Sequence, residues 1–364
     1  MTTPATTTGN APYERIGFSC AYTPLALIQA AGFVPHRILP VTEAPDQAGT
    51  VLHDNLCPHV KRILDRALYG EDLPELAGTI FVNSCDAMRR LADAWRAVRP
   101  AERQLLLDLP VTDDDLSVRY FQSELGRMRQ QLSEWAGREV TDEAIATSIE
   151  QYNELYRVLA ELADRAATGT LPGGPARLQQ LRNRSVTEPM NLVLAELEKL
   201  AAEAGAAPAV DATSVPVFLF GNVLPNPEAA ELFQSCGARV VHDDLCTGAR
   251  QLTAVELSGS DPLHDLAKAL LRRPACARTV PESKAGSLAR QVATRAEQSG
   301  ARGVIAHVMK FCDPYLARLP AIRDELKSRG LPVLTLEGDC TLRSLGQHRT
   351  RIEAFVEMLQ GDTP

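Results

Sequence analysis

The hydrophobic positions of this chain follow two periods in turn. Short apolar segments, FVPHRILPV near 33–41, TIFVNS at 79–84 and QLLLDLP at 104–110, alternate with stretches whose apolar residues recur at helical spacing, PLALIQAAG, CPHVKRILDRALYG and CDAMRRLADAWRAV. That rhythm predicts a parallel sheet with crossover helices over residues 15–115. The pattern then changes. Between 116 and 203, RYFQSELGRMRQQLSEWAG, TDEAIATSIEQYNELYRVLAELADRAA and NLVLAELEKLAAEAG read as amphipathic helices, forming a helical layer. AGAAPAVDATS at 204–214 reads as a linker, and the Thr- and Ala-rich residues 1–14 as a disordered tail.

A second α/β region occupies 215–364. VPVFLFG at 215–221, ARVVHDD at 238–244, GVIAHVM at 303–309 and LPVLTLEGD at 331–339 are near-continuous apolar runs, as strands buried on both faces require. The helical segments PEAAELFQSCG, ESKAGSLARQVATRAEQSG and PAIRDELKSRG each end in glycine, the residue that most easily closes a helix in the left-handed conformation. The expected fold is α/β, with two Rossmann-like (flavodoxin-like) parallel-sheet domains facing a crevice and a helical layer between them. In such sheets ligands bind outside the carboxyl ends of the strands.

Composition narrows the function. With 364 residues, 45% of them hydrophobic, the chain can build two domains and a substantial core. No segment approaches the roughly 20 apolar residues that span a bilayer, and MTTPATTTGNAPYER lacks an apolar signal region, so a cytoplasmic location is expected. A net charge of −8 without a basic run argues against nucleic acid as the main partner. In a reducing compartment, cysteines are metal-binding, catalytic or buried more often than disulfide-bonded.

Six of the eight cysteines lie where a strand or loop hands over to a helix: Cys20, Cys57, Cys85, Cys246, Cys276 and Cys312. Cys85, Cys246 and Cys312 follow predicted strands, whereas Cys57 precedes Pro58 and a helix, where the dipole favours a thiolate. Thiols at the ends of several strands suit an iron–sulfur group in a crevice better than a compact zinc motif, whose paired ligands lie about 2–4 residues apart. The competing reading is that each is a small buried hydrophobe. Cys236 and Cys340 have no such placement and read as structural. Of the histidines, His307 stands out as a candidate catalytic group because its strand leads to Cys312. GxxxxGK[ST], GxGxxG, GxSxG and HExxH motifs are all missing, so ATP hydrolysis by this chain alone is not expected.

Several segments together carry a resemblance: GFSCAYTPLALIQAAGFVPHRI, NLCPHVKRILD, VNSCDAMRRLADAW, ELGRMRQQLSEWAGREVTDEAI, GARVVHDDLCTGAR, VMKFCDPYLARLPAIRDEL and GQHRTRIEAFVEML. The chain beyond residue 15 resembles the 2-hydroxyacyl-CoA dehydratase and benzoyl-CoA reductase family, most of all its double-cubane branch. The resemblance implies an oxygen-sensitive iron–sulfur protein that receives low-potential electrons from a dimeric activator ATPase carrying its own 4Fe-4S cluster. It also implies a homodimer acting on a small molecule, with a CoA thioester left open.

Two cluster designs exist within that family. A dehydratase subunit holds one 4Fe-4S cluster by three cysteines, and Cys57, Cys85 and Cys312 occupy the matching positions. The double-cubane branch joins two cubes through a sulfide as an 8Fe-9S group and needs six thiolates. Cys20, Cys246 and Cys276 supply the second set, which makes a double-cubane reductase component the leading expectation. A single-cluster dehydratase subunit and a non-catalytic electron-storage protein are the alternatives.

Overall fold

A computed structural model describes residues 13–40, 46–70, 73–203, 213–280, 287–339 and 345–361. Its frame is two four-stranded parallel sheets. In the first, β1 (Arg15–Phe18), β2 (Val34–Arg37), β3 (Gly78–Val82) and β4 (Gln104–Leu107) lie in the order β2-β1-β3-β4. In the second, β5 (Val215–Gly221), β6 (Ala238–Asp244), β7 (Gly303–Met309) and β8 (Val333–Gly338) repeat that order as β6-β5-β7-β8. The expected pair of parallel sheets is present.

The crossover helices are α1 (Leu25–Ala30), α2 (Pro58–Tyr69) and α3 (Asp86–Val98) in the first half. In the second they are α8 (Pro227–Ser235), α10 (Ser287–Gln298), α11 (Asp313–Ser328) and the C-terminal α12 (Leu345–Gly361). Between the sheets in sequence run α4 (Asp115–Ala136), α5 (Asp142–Ala167), α6 (Gly174–Arg184) and α7 (Met190–Ala202), and α9 (Pro262–Arg272) packs on α4. Gly237, Gly300 and Gly330 end their helices at φ 78°, 70° and 70°, the left-handed stop expected of them.

Each helix of the α4–α5 pair starts with a side-chain cap. Asp114 accepts the N–H of Ser117 at 2.8 Å, and Thr141 that of Ala144 at 3.2 Å. The Asp114 carboxyl belongs to the triple Asp113-Asp114-Asp115, so one member of that run is a cap rather than a free solvated charge.

Two sets of contacts tie the sheets together. Val223, just past β5, and Met309, the end of β7, are buried in a cluster with Ile63, Phe81, Leu91 and Trp95 from the first half. Burying each side chain is worth about 1.5–3 kcal/mol. Arg37 at the end of β2 also reaches across, donating from Nη1 to the carbonyl of Cys246 and to Gln251 Oε1, both at 2.7 Å. The carboxyl ends of the two sheets thus meet. Among the described residues no helix is long and apolar enough to cross a membrane.

Candidate metal centre

Where the carboxyl ends meet, the chain encloses a cavity of about 100 Å³. All six singled-out cysteines line it: Cys20, Cys57, Cys85, Cys246, Cys276 and Cys312. Cys20 lies two residues beyond β1, Cys85 three beyond β3, Cys246 two beyond β6 and Cys312 three beyond β7. Cys236 is elsewhere, at the end of α8 in the core beside the second sheet, and Cys340 lies outside the described residues.

Cys57, Cys85 and Cys312 are the N-caps of α2, α3 and α11. Main-chain N–H groups of the first turns point at their sulfurs: His59 and Val60 at Cys57, Met88 and Ala87 at Cys85, and Tyr315 at Cys312. Asn222 adds a side-chain donor, Nδ2 to Cys312 Sγ at 3.0 Å. Burial nevertheless outweighs these donors. It pushes the Cys57 and Cys85 thiols up to about 11 and Cys312 up to about 12, so without a metal these three are neutral thiols at pH 7.

The other end of the cavity is cationic. The Cys276 thiol is hydrogen-bonded to Cys246, which also receives Arg250 Nη1 at 3.0 Å. These donors, with Arg37 and Arg273 nearby, hold Cys246 well below the ordinary thiol range, and the bond to Cys246 holds Cys276 above it. Arg250 is fixed in turn by Asp244 at 2.8 Å, and Asp244 also pairs with Arg295 at 2.9 Å. Arg273 stacks over the ring of Tyr22 at 3.9 Å and donates to the carbonyl of Ala21 at 2.8 Å. Arg278, on the side of Cys57, Cys85 and Cys312, binds the carbonyls of Leu109 and Asn83 at 2.6 and 3.1 Å.

Several cavity-lining polar atoms are buried without a hydrogen-bond partner: Arg273 Nε and Nη2, Arg37 Nε, Tyr315 Oη and Ser19 Oγ. Burying cationic donors unpaired costs several kcal/mol unless a negative group sits beside them. Among the described residues no three His, Cys, Asp or Glu side chains converge tightly enough to hold one metal ion. The thiols surround a volume instead. Six soft sulfur donors, backed by cations and N–H groups, fit an iron–sulfur group.

His307 does not line this cavity. It sits within β7 between Gly221 and Leu336, fully buried, and burial lowers its pKa to about 4, leaving the ring neutral. Its main chain matters more visibly, because its carbonyl accepts the N–H of Asn222 at 3.3 Å. Sequence reasoning passes over Asn222 and the arginines. The available signal is proximity in the chain, with Arg250 four residues after Cys246, and Arg273 and Arg278 flanking Cys276.

Comparison with known proteins gives this geometry a lineage. The family model for the 2-hydroxyglutaryl-CoA dehydratase D-component matches residues 20–359. The chain is 26% identical to the lactoyl-CoA dehydratase subunit beta of Anaerotignum propionicum, covering 94% of this chain and 91% of the relative. It is 24% identical to the (R)-2-hydroxyglutaryl-CoA dehydratase subunit beta of Acidaminococcus fermentans, over 95% and 92% of the two chains. It is 22% identical to a benzoyl-CoA reductase subunit of Thauera aromatica, over 88% and 84%. With the match running from the first cavity cysteine almost to the end of the last helix, the chain belongs to the 2-hydroxyglutaryl-CoA dehydratase D-component family.

Proposed function

We propose that this chain is the iron–sulfur component of a two-protein reductase. Cys20, Cys57, Cys85, Cys246, Cys276 and Cys312 together hold a double-cubane group, and a separate ATP-hydrolysing activator delivers the electrons. A small molecule is reduced, and the working unit is a homodimer. When bound, the group supplies low-potential electron storage and one-electron transfer. The chain's own residues bind it, exclude water and set its charge environment. Asn222 and the first-turn N–H groups orient three sulfurs, while Arg250 and its neighbours offset the negative charge around the others.

The observation that carries this reading is the shared cavity, since six thiols around one volume match the ligand demand of two joined cubes. A second reading has its own support. Two of the relatives compared above are named as dehydratase beta subunits, which favours one 4Fe-4S cluster on Cys57, Cys85 and Cys312 and elimination of water from a 2-hydroxyacyl-CoA.

Iron and sulfide per chain after anaerobic purification decide between them. About eight irons are expected from six thiolate ligands and a bridge. Four irons, unchanged when Cys20, Cys246 and Cys276 are replaced by Ala, would establish the dehydratase reading instead. Iron without any ATP-dependent turnover in the presence of an activator would point to electron storage.

A further inference from the structure

The six thiols are not held alike. Cys57, Cys85 and Cys312 also line a second, open cavity of about 550 Å³ that extends outward past Phe311 and Ala317, and Cys20, Cys246 and Cys276 do not. Phe311 is itself unusual. It is 43% exposed and takes φ 57°, a left-handed conformation that is uncommon and strained for a bulky residue. The strain lies at the residue before Cys312, on the wall of the opening. That wall carries two carboxylates, Asp86 and Asp313, against two guanidiniums, Arg278 and Arg318, so it favours neither sign of charge.

The opposite end has the reverse character. Arg250 donates to Cys246 Sγ, Arg37 to the Cys246 carbonyl, and Arg273 to the carbonyl beside Cys20. Arg250 has Asp244 as counter-charge, but among the described residues neither Arg37 nor Arg273 has a carboxylate partner. Beyond the carbonyl, amide and ring contacts that Arg37 and Arg273 make, two buried guanidiniums without a carboxylate favour negative charge placed in the cavity itself. In a low-dielectric site, a fixed cation a few ångströms away stabilises each added electron far more than it would in water.

We propose that the crevice is polarised. Electrons arriving from a low-potential iron–sulfur donor are held at the inner end, walled by Arg37, Arg250 and Arg273. A small uncharged molecule meets the centre at the outer end, through the opening beside Phe311. This proposal rests on the iron–sulfur reading above.

The test uses protein purified anaerobically with its iron, beside Arg273→Gln, Arg37→Gln and Ala317→Trp, the last of which narrows the opening. Iron is measured first. No iron in the wild type defeats the iron–sulfur reading itself, whereas iron in the wild type isolates the present inference. In a potentiometric titration followed by electron paramagnetic resonance, each Arg→Gln change is expected to lower the reduction equilibrium constant about tenfold, about 59 mV for one electron. Ala317→Trp should leave the midpoint where it is. Carbon monoxide, added to the reduced protein, should alter the spectrum of the wild type and the Arg→Gln variants but not that of Ala317→Trp.

Unchanged midpoints in both Arg→Gln variants, with iron retained, would overturn the inner-end assignment. A carbon monoxide response that is absent from the wild type, or equal in Ala317→Trp, would overturn the outer-end assignment. If the Gln variants lose iron, Arg273→Lys decides. Iron retained at the wild-type midpoint supports the role of charge, and iron lost there too makes the guanidinium a structural strut and overturns it.

Discussion

Asn222 and Cys312 lie 90 residues apart, yet the Asn222 amide donates to the Cys312 sulfur at 3.0 Å. The other half of the same amide, Oδ1, accepts the N–H of Met309 at 3.1 Å, so one side chain binds both the end of β7 and the cysteine beyond it. Replacing Asn222 with Ala leaves a buried N–H unpaired and removes a donor to the sulfur. A loss of about 1–3 kcal/mol in stability is expected, together with faster loss of iron. Iron retained after anaerobic gel filtration, compared with wild type, checks the second effect.

The two classes of cysteine should separate cleanly. Cys85→Ala removes a cavity sulfur and is expected to abolish iron binding and activity, because alanine offers no thiolate. Cys236→Ala should keep full iron. Cys236 packs among apolar neighbours beside the second sheet, with its sulfur 3.9 Å from the Arg349 carbonyl, so its loss costs only a small apolar group, about 1 kcal/mol. Iron content and urea unfolding of the two variants, measured side by side, test the contrast.

Gly221 is the tightest backbone position at the site. A Cβ there would fall 1.9 Å from the carbonyl oxygen of His307, and the residue holds φ 154°. Gly221→Ala must push β5 away from β7 and displace Asn222, so a loss of about 2–4 kcal/mol and impaired iron retention are expected. Gly126→Ala is the control. It lies within α4 with nothing nearer than 4.0 Å, and the better helix former should stabilise by up to about 1 kcal/mol. Thermal unfolding of both proteins gives the two signs.

Acid should destabilise the metal-free protein before its carboxylates titrate. Burial lowers both His36 and His307 to about 4. A depressed folded value means that their contribution is fully present above the unfolded value of about 6.5. It falls as the pH drops, because the unfolded chain takes up protons the native chain refuses, and it is gone near pH 4. Each histidine contributes a slope approaching about 1.4 kcal/mol per pH unit within that window. Urea unfolding at about pH 7, 6 and 5 should show it, with His36→Gln and His307→Gln each removing one proton from the slope. A slope unchanged in both variants would contradict this account.

Much of the fold is legible in the sequence because burial on both faces leaves a plain signature. VPVFLFG, ARVVHDD and GVIAHVM are β5, β6 and β7 residue for residue. β1 escapes such a reading because RIGF is four residues long and opens on a charged side chain. α9 escapes it as well, since its apolar face is short and follows a Ser- and Gly-rich turn. Five of the cysteines that share the cavity can be picked out because each stands within three residues of an element end, whereas Cys276 lies in the loop beyond α9. The arginines cannot, because an arginine in sequence normally implies a solvated surface, and only the meeting of two distant sheets turns Arg37, Arg250 and Arg273 inward.

The cavity's walls come from both halves of the chain, from Ser19 to Tyr315. Residues 19–88 supply one side of it and residues 222–315 the other, so the pocket closes only after most of the chain has been made. Until residue 315 has left the ribosome and both sheets have docked, Cys20, Cys57 and Cys85 have only one another and not the thiols of the second half. A group that needs thiols from both sheets can therefore be taken up only after the chain has been made as far as residue 315. On the double-cubane reading proposed above, all six thiols have to stay reduced until that uptake is complete.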